Sequence, residues 1–247
     1  MRVALVTGAS SGIGEATARR LDGDGWRLIL VARRADRLEA LAGELSDAHP
    51  LVVDLTHDDA PARVRARVED EDGLKLLVNN AGVGGRGSFR DTGYETVRRT
   101  MEVNFDAVVR LVEALLPVLR RAAPSAIVNV SSTAGRVARA GTSAYCASKF
   151  ALAGWTEAIG MEEAAHGVHV ANVLPGFVRT EGFPQTALVE NPRTRWMVSK
   201  PEKVADAIVA AANGRAERYV PRPYGLAVAL RGLAPGLVRR VMRGSGL

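Results

Sequence analysis

The sequence predicts an α/β protein: a doubly wound, seven-stranded parallel sheet with helices on both faces, followed by a C-terminal helical extension. Three observations predict it. Short apolar runs alternate with longer helix-forming stretches along the chain, the pattern of strands joined by crossover helices. The runs are almost continuously hydrophobic, as strands covered on both faces must be. The first run passes directly into a glycine-rich turn and a helix, which sets a helix N-terminus against the end of a strand.

The first strand is expected over 2–6, on Val3-Ala4-Leu5-Val6. Thr7-Gly8-Ala9-Ser10-Ser11-Gly12-Ile13-Gly14 forms the turn, and Glu15 to Leu21 has helix-forming composition. Further strands are expected at 27–31, 51–54, 75–78, 126–131, 168–174 and 217–220. Helical stretches lie between them, including 36–46, 95–121, 143–164 and 201–212. No repeat, low-complexity segment or linker interrupts residues 1–221, which read as one domain, and 222–247 reads as an appendage. There Leu226, Leu230, Leu233, Leu237 and Val241 recur at helical spacing, with Arg231, Arg239, Arg240 and Arg243 interspersed. Pro235 and Gly236 should divide the stretch into two short helices.

At 247 residues the chain suits one large α/β domain. Hydrophobic residues make up 47% and charged residues 24%, ordinary for a globular protein. The single cysteine, Cys146, rules out an intrachain disulfide and fits a reducing compartment. Val3 to Val6 is too short for the apolar region of a secretory leader, no run is long enough to cross a membrane, and a cytoplasmic location is expected. The net charge of +6 lies wholly at the C-terminus. From Gly214 onward stand seven of the 33 basic residues and one of the 27 acidic ones, leaving 26 of each in the first 213 residues. A balanced body of this kind excludes nucleic-acid binding by the domain as a whole. His49, His57, His166 and His169 fit no metal-ligand spacing, so no metal is expected.

Two motifs carry chemistry. In Tyr145-Cys146-Ala147-Ser148-Lys149 the phenol and the amine are four apart, on one face of a helix. A lysine cation favours the phenolate form of its neighbour and burial opposes it, so the pair reads as a tuned acid and base. Cys146, about 100° away around the helix, is expected to pack elsewhere. Ser132 ends the apolar run 126–131, thirteen residues before Tyr145. A hydroxyl there is placed to bind a carbonyl oxygen. The second motif is the turn, whose glycines Gly8, Gly12 and Gly14 are spaced GxxxGxG rather than GxGxxG. Such a turn aims backbone N–H groups and the positive end of a helix at a phosphate. After the second strand, Arg33 and Arg34 follow Ala32; guanidinium groups suit a further phosphate.

TGASSGIG, Asn79-Asn80-Ala81-Gly82, Asn104, Ser132 and Tyr145 with Lys149 occur in an order and spacing that resemble the short-chain dehydrogenase/reductase family over about residues 1–221. The resemblance implies a one-domain Rossmann fold and NAD(P)-dependent redox chemistry at a carbonyl or alcohol. It makes Tyr145 the general acid and base, Lys149 the group that lowers its pKa and bonds the nicotinamide ribose, and Ser132 the residue that orients the carbonyl, ahead of Ser131. Asn104 would hold a water linking Lys149 to solvent. Gly8, Ser10, Ser11, Gly12, Ile13 and Gly14 would cradle the phosphates. Asp54 and Leu55 would lie near the adenine, and Asn80, Ala81 and Gly82 near its ribose, with Asn79 bracing the sheet. Pro175, Gly176, Val178 and Thr180 would line the nicotinamide side. Where NAD-preferring relatives carry an acid, this chain has Ala32, which with Arg33 and Arg34 favours NADP(H); NAD(H) is the alternative carrier.

Residues 181–199 are expected to form a substrate lid, whose Phe183, Leu188, Trp196 and Met197 point to a hydrophobic substrate. A homodimer or homotetramer through 95–121 and 143–164 is implied. The cationic tail has three readings: a cover for the active-site mouth or a subunit interface, which is favoured; an amphipathic helix on an anionic membrane; or a frayed end. Two rival functions are weighed. Gly8-Ala9-Ser10-Ser11-Gly12 also matches GxSxG, the nucleophile elbow of α/β-hydrolases, but it follows the first strand and leaves Tyr145 and Lys149 unexplained. A catalytically silent nucleotide-binding regulator is opposed by the complete set of four catalytic residue types.

Overall fold

A computed structural model describes residues 2–240 apart from Asp72, Pro184, Arg193, Leu237 and Arg239. Its main sheet has seven parallel strands: β1 (Val3–Thr7), β2 (Arg27–Ala32), β3 (Ala48–Val52), β4 (Leu76–Asn79), β5 (Ser125–Val130), β6 (Val168–Pro175) and β9 (Glu217–Val220). Their order across the sheet is β3-β2-β1-β4-β5-β6-β9. The winding reverses between β1 and β4, and ligands of such sheets bind where the carboxyl ends of the strands part. A small parallel pair, β7 (Phe177–Val178) and β8 (Val198–Ser199), lies above that edge.

The strand sequences explain the layers. Successive side chains of a strand point to opposite faces, and here both sets are apolar. Ala4, Val6, Leu28, Leu30, Leu76 and Val78 pack beneath α1 (Gly12–Asp22), α2 (Ala35–Glu44) and α8 (Pro201–Ala212). Val3, Leu5, Ile29, Val31 and Leu77 face the other way, onto α3 (Ala60–Glu69), α5 (Ala107–Arg121) and α6 (Ser143–Glu163). Buried Glu163 at the end of α6 is met by Arg120 of α5 at 2.8 and 2.6 Å, which fastens the two helices together.

Two boundaries differ from expectation. The third strand, expected at 51–54, is Ala48–Val52. Its register is set by pairing with β2, Leu28 opposite Ala48 through Ala32 opposite Val52, and this draws in His49 and Pro50, which no apolar run would include. The single helix expected at 95–121 is three pieces. α4 (Phe89–Met101) starts earlier, at a Ser88 cap that accepts from the Asp91 amide. A π-helical turn, Glu102–Asp106, then precedes α5. Such turns insert one residue into a helix and recur at functional sites; this one carries Asn104.

The turn after β1 leaves no room for a side chain at Gly14. A Cβ there would lie 2.2 Å from the Gly8 carbonyl oxygen and 2.6 Å from Asn80 Nδ2. Gly14→Ala should therefore lower the melting temperature by about 5 °C, the result of overpacking by roughly 1–3 kcal/mol in a domain of this size. Gly43, where an added Cβ meets nothing within 4 Å, is the control. Gly43→Ala should leave the melt unchanged or raise it slightly, and equal melts for the two variants would refute the steric account.

Candidate active site

β1 and β4 end side by side, and their ends are tied together by side chains. Thr7 Oγ1 accepts from the amides of Asn80 and Ala81, each at 3.0 Å. Asn80 Nδ2 donates to the carbonyls of Thr7 and Gly8 at 2.9 and 3.3 Å. The glycine turn is thus bolted to the segment after β4. Between them runs a cleft lined by Gly8, Ser10, Ser11, Gly12 and Ile13, by Arg33, Arg34, Asp54 and Leu55, and by Asn80, Ala81 and Gly82. The backbone turn at a helix N-terminus fits a phosphate, and Val53 and Leu55 offer an apolar wall for a base. These residues therefore fit a dinucleotide.

Inside the cleft, Arg34 lies across the turn, donating to Ser10 Oγ at 3.0 and 3.2 Å and to Ser11 Oγ at 2.7 Å. Arg33 reaches Asp54 at 3.5 Å, with 65% of its side chain exposed. Burial pushes the Asp54 carboxyl up, but bonds from Thr56 and the charge of Arg33 outweigh it and hold it below the usual range. Gly14 is behind the wall, its part being the close packing described above.

The cleft opens into a second cavity that shares Ile13, Asn80, Gly82, Val83, Thr180 and Phe183 with it. Its walls bring together Ser131, Ser132, Tyr145, Lys149, Pro175, Gly176 and Val178 from β5, α6 and β6–β7. Lys149 is buried and donates to the Val130 carbonyl at 2.9 Å, and burial lowers its pKa to about 8. Its Nζ stands 5.9 Å from the centre of the Tyr145 ring. Ser132 Oγ donates to the Pro175 carbonyl at 3.3 Å and accepts from the Ala134 amide at 3.1 Å. Ser131 instead donates to the Lys149 carbonyl at 3.1 Å.

The phenol behaves differently from the sequence expectation. Burial pushes Tyr145 above its ordinary value, and its hydrogen bond with Ser132 and the charge of Arg139 only partly offset this. In this competition burial outweighs the charge of Arg139. Asn104 is also not on the cavity wall. Its Oδ1 accepts from the Val83 amide at 2.8 Å, and its Nδ2 donates to the Val83 carbonyl at 2.9 Å and to Ser148 Oγ at 3.0 Å. The buried amide fixes the loop after β4 to α6. One acceptor position remains on Oδ1, beside Gly82, which Lys149 Nζ also borders.

A sequence model of the short chain dehydrogenase family matches residues 2–188. The chain belongs to this family. Among its relatives is the Bos taurus dehydrogenase/reductase SDR family member 7B, 33% identical over 260 residues, covering 97% of this chain and 80% of the relative. Serine 3-dehydrogenase of Agrobacterium fabrum is 34% identical over 180 residues, 72% of each chain. The solved structure of a short-chain dehydrogenase from Streptomyces avermitilis superposes with a TM-score of 0.81 at 31% identity, over 100% of this chain and 98% of that one. As a short-chain dehydrogenase the protein is an oxidoreductase acting on CH–OH or carbonyl groups, in a family that uses NAD(P)(H).

The hydrolase reading falls with this membership. Ser10 is bonded to the Arg34 guanidinium, which has no acceptor for a proton. Among the described residues no metal-binding cluster occurs, and no helix is long and apolar enough to cross a membrane. Cys146 is buried beside Thr142 Oγ1 at 3.3 Å, and Asn79 donates to Asn129 across β4 and β5 at 2.8 Å.

Of the lid residues, Phe183 lies on the wall of both cavities, its ring pressed over Gly84, where a Cβ would meet it at 2.5 Å. The short helix α7 (Thr186–Glu190) carries Leu188, and Trp196 is 60% exposed. Among the described residues the leucine stripe of the tail does not pack onto the body of this chain. α9 (Tyr224–Leu233) stops before Pro235, but Leu226 and Leu233 face solvent, at 75% and 86% exposure. The helix meets the body through other residues. Tyr224 packs flush on Gly176, where a Cβ would come within 2.2 Å of its ring, and donates to the Met197 carbonyl at 3.2 Å. Arg231 stacks on Phe150 at 5.0 Å and bonds the Arg136 carbonyl. Leu237, Arg239, Val241 and Arg243 lie outside the described residues.

Sequence reasoning missed Tyr224, Phe177, Arg86 and Arg139, which all bear on the cavity. Two had a local signal: Arg139 stands between Ser132 and Tyr145, and Phe177 between Gly176 and Val178.

Proposed function

We propose that the protein is an NADP(H)-dependent oxidoreductase that interconverts a carbonyl and a secondary alcohol. The observation that carries this reading is the convergence of Ser132, Tyr145 and Lys149 on one cavity continuous with the cleft of the glycine turn. The dinucleotide, when bound, supplies or accepts the hydride. Tyr145 donates its proton to the carbonyl oxygen during reduction and takes it back from the alcohol during oxidation. Ser132, on the same cavity wall as the phenol, orients the same oxygen. Lys149 provides the cation beside the phenolate that proton donation leaves. Asn104 contributes its remaining acceptor to a water next to Lys149, the route by which the proton is restored from solvent. Ala32 and Arg33 support NADP(H) over NAD(H): no carboxylate stands at Ala32, and Arg33 is the exposed cation at the rim of the cleft, while Arg34 is engaged by the turn. Val83, Phe177 and Phe183 give the substrate cavity an apolar side, which suits a hydrophobic substrate body.

A panel of ketones, aldehydes and hydroxy compounds followed by NADPH absorbance, repeated with NADH, tests the reading. Carbonyl-dependent oxidation of NADPH supports it, and also disposes of the silent-regulator alternative. Its absence across the panel refutes it.

The same assay yields a pH prediction. Lys149, lowered to about 8 by burial, is charged below that pH and neutral above it. Carbonyl reduction should hold level up to the breakpoint and then fall about tenfold per pH unit as the cation is lost. Lys149→Arg keeps its charge to much higher pH, so whatever activity it retains should lack that fall. A breakpoint shared by both enzymes would assign it to another group.

A further inference from the structure

We propose that Arg139 is the specificity-determining residue of this site, and that the substrate is an oxo acid, or in reverse a hydroxy acid, whose carboxylate lies close to the reacting carbon. The inference rests on the oxidoreductase reading and adds the charge of the substrate.

Among the described residues three cations stand on the wall of the substrate cavity, Arg86, Arg139 and Lys149, and no aspartate or glutamate does. Lys149 is buried at the far end, bonded to Val130. Arg86 is exposed on the loop after β4. Arg139 is partly buried, with its guanidinium laid over the Phe177 ring at 5.0 Å from the centroid. Stacking of this kind leaves the planar edge of the guanidinium, with its paired donors, open to a carboxylate. The ring beneath it is held in turn, since Phe177 follows Gly176, against which Tyr224 is packed. The Arg139 backbone is fixed by Thr142 Oγ1, which donates to its carbonyl at 3.1 Å.

Arg136, three residues earlier in the same segment, shows how this fold treats a structural arginine. It is neutralised by Glu217 at 2.6 Å and Glu157 at 3.6 Å. Among the described residues no carboxylate pairs with Arg139 in this way. A half-buried cation facing a cavity without an acid is costly unless the ligand brings one. It lines the same cavity as Tyr145 and Ser132, so a carboxylate that it holds lies in the chamber where the carbonyl is reduced. The apolar walls then take the remainder of the chain.

The test compares a series of 2- and 3-oxo acids with their methyl esters, using the full chain and NADPH. The acid should be favoured in kcat/KM by about 10- to 100-fold over its ester, as expected for a charge-assisted hydrogen bond. Arg139→Gln should bring that ratio to near one, chiefly by raising KM for the acid. Binding is read separately by calorimetry on the NADP-loaded Tyr145→Phe protein. There the acid should bind about tenfold more tightly than the ester, and Arg139→Gln added to Tyr145→Phe should remove the difference. Ester turnover with no advantage for the acid overturns the role of Arg139 and leaves the oxidoreductase standing. Acid-selective binding without any turnover overturns the oxidoreductase reading and leaves the anion site. An equal loss for acid and ester in Arg139→Gln, or no acid binding anywhere in the series, counts against Arg139.

Discussion

Replacing Tyr145 with phenylalanine will lower carbonyl turnover by about a thousandfold or more while leaving dinucleotide affinity within about threefold. The substitution removes one oxygen and keeps the ring, so the face that Lys149 approaches at 5.9 Å remains. What disappears is the phenol oxygen on the cavity wall, where Tyr145 is the only tyrosine among the described residues. Stability should change by about 1 kcal/mol, the usual worth of one neutral hydrogen bond, so a loss of rate cannot be ascribed to unfolding. Single-turnover rates with NADPH, paired with dinucleotide titration by intrinsic fluorescence, separate the two effects. Retention of a tenth of the wild-type rate would move the proton donor elsewhere.

Arg33→Ala will raise the dissociation constant for NADPH by about 10- to 100-fold and that for NADH by less than about threefold, the difference being one charge-assisted contact to a phosphate. Arg33 is suited to this discrimination because its guanidinium is exposed and only loosely paired with Asp54. Arg34 is the contrasting case. Its guanidinium joins Ser10 and Ser11, so Arg34→Ala should loosen the turn and weaken both dinucleotides alike. Equal losses of NADPH and NADH in Arg33→Ala would contradict the phosphate assignment.

The sheet was legible in the sequence because its strands are covered on both sides. Apolar runs such as Leu28 to Val31 can go nowhere but the interior, and six of the seven strands fall where their runs do. The third did not, because an edge strand takes its register from its neighbour; half-buried His49 and exposed Pro50 pair with β2. The π turn around Asn104 was not legible either: it adds a residue to a helix without altering its composition. At the site, motif and spacing pointed to Ser132, Tyr145 and Lys149, which share one cavity wall, but not to Arg86, Arg139 or Phe177 beside them. The interactions of the site residues were not legible. Whether Tyr145 is raised or lowered depends on how burial compares with charge, and Arg34's bonds to the turn depend on how close β2 brings it to β1. The tail shows the limit of periodicity. Leucines at helical spacing marked a helix correctly, yet Tyr224, outside the stripe, makes the contact that joins it to the domain.

That contact couples two distant stretches of the gene. Gly176 can accept no larger residue while an aromatic ring occupies position 224, so the two positions must change together or not at all. A chimera that grafts the C-terminal segment of one relative onto the body of another will inherit a collision or a void beside its catalytic chamber unless residue 176 travels with the graft. Recombination libraries built across this family would do best to place their crossover points upstream of both positions.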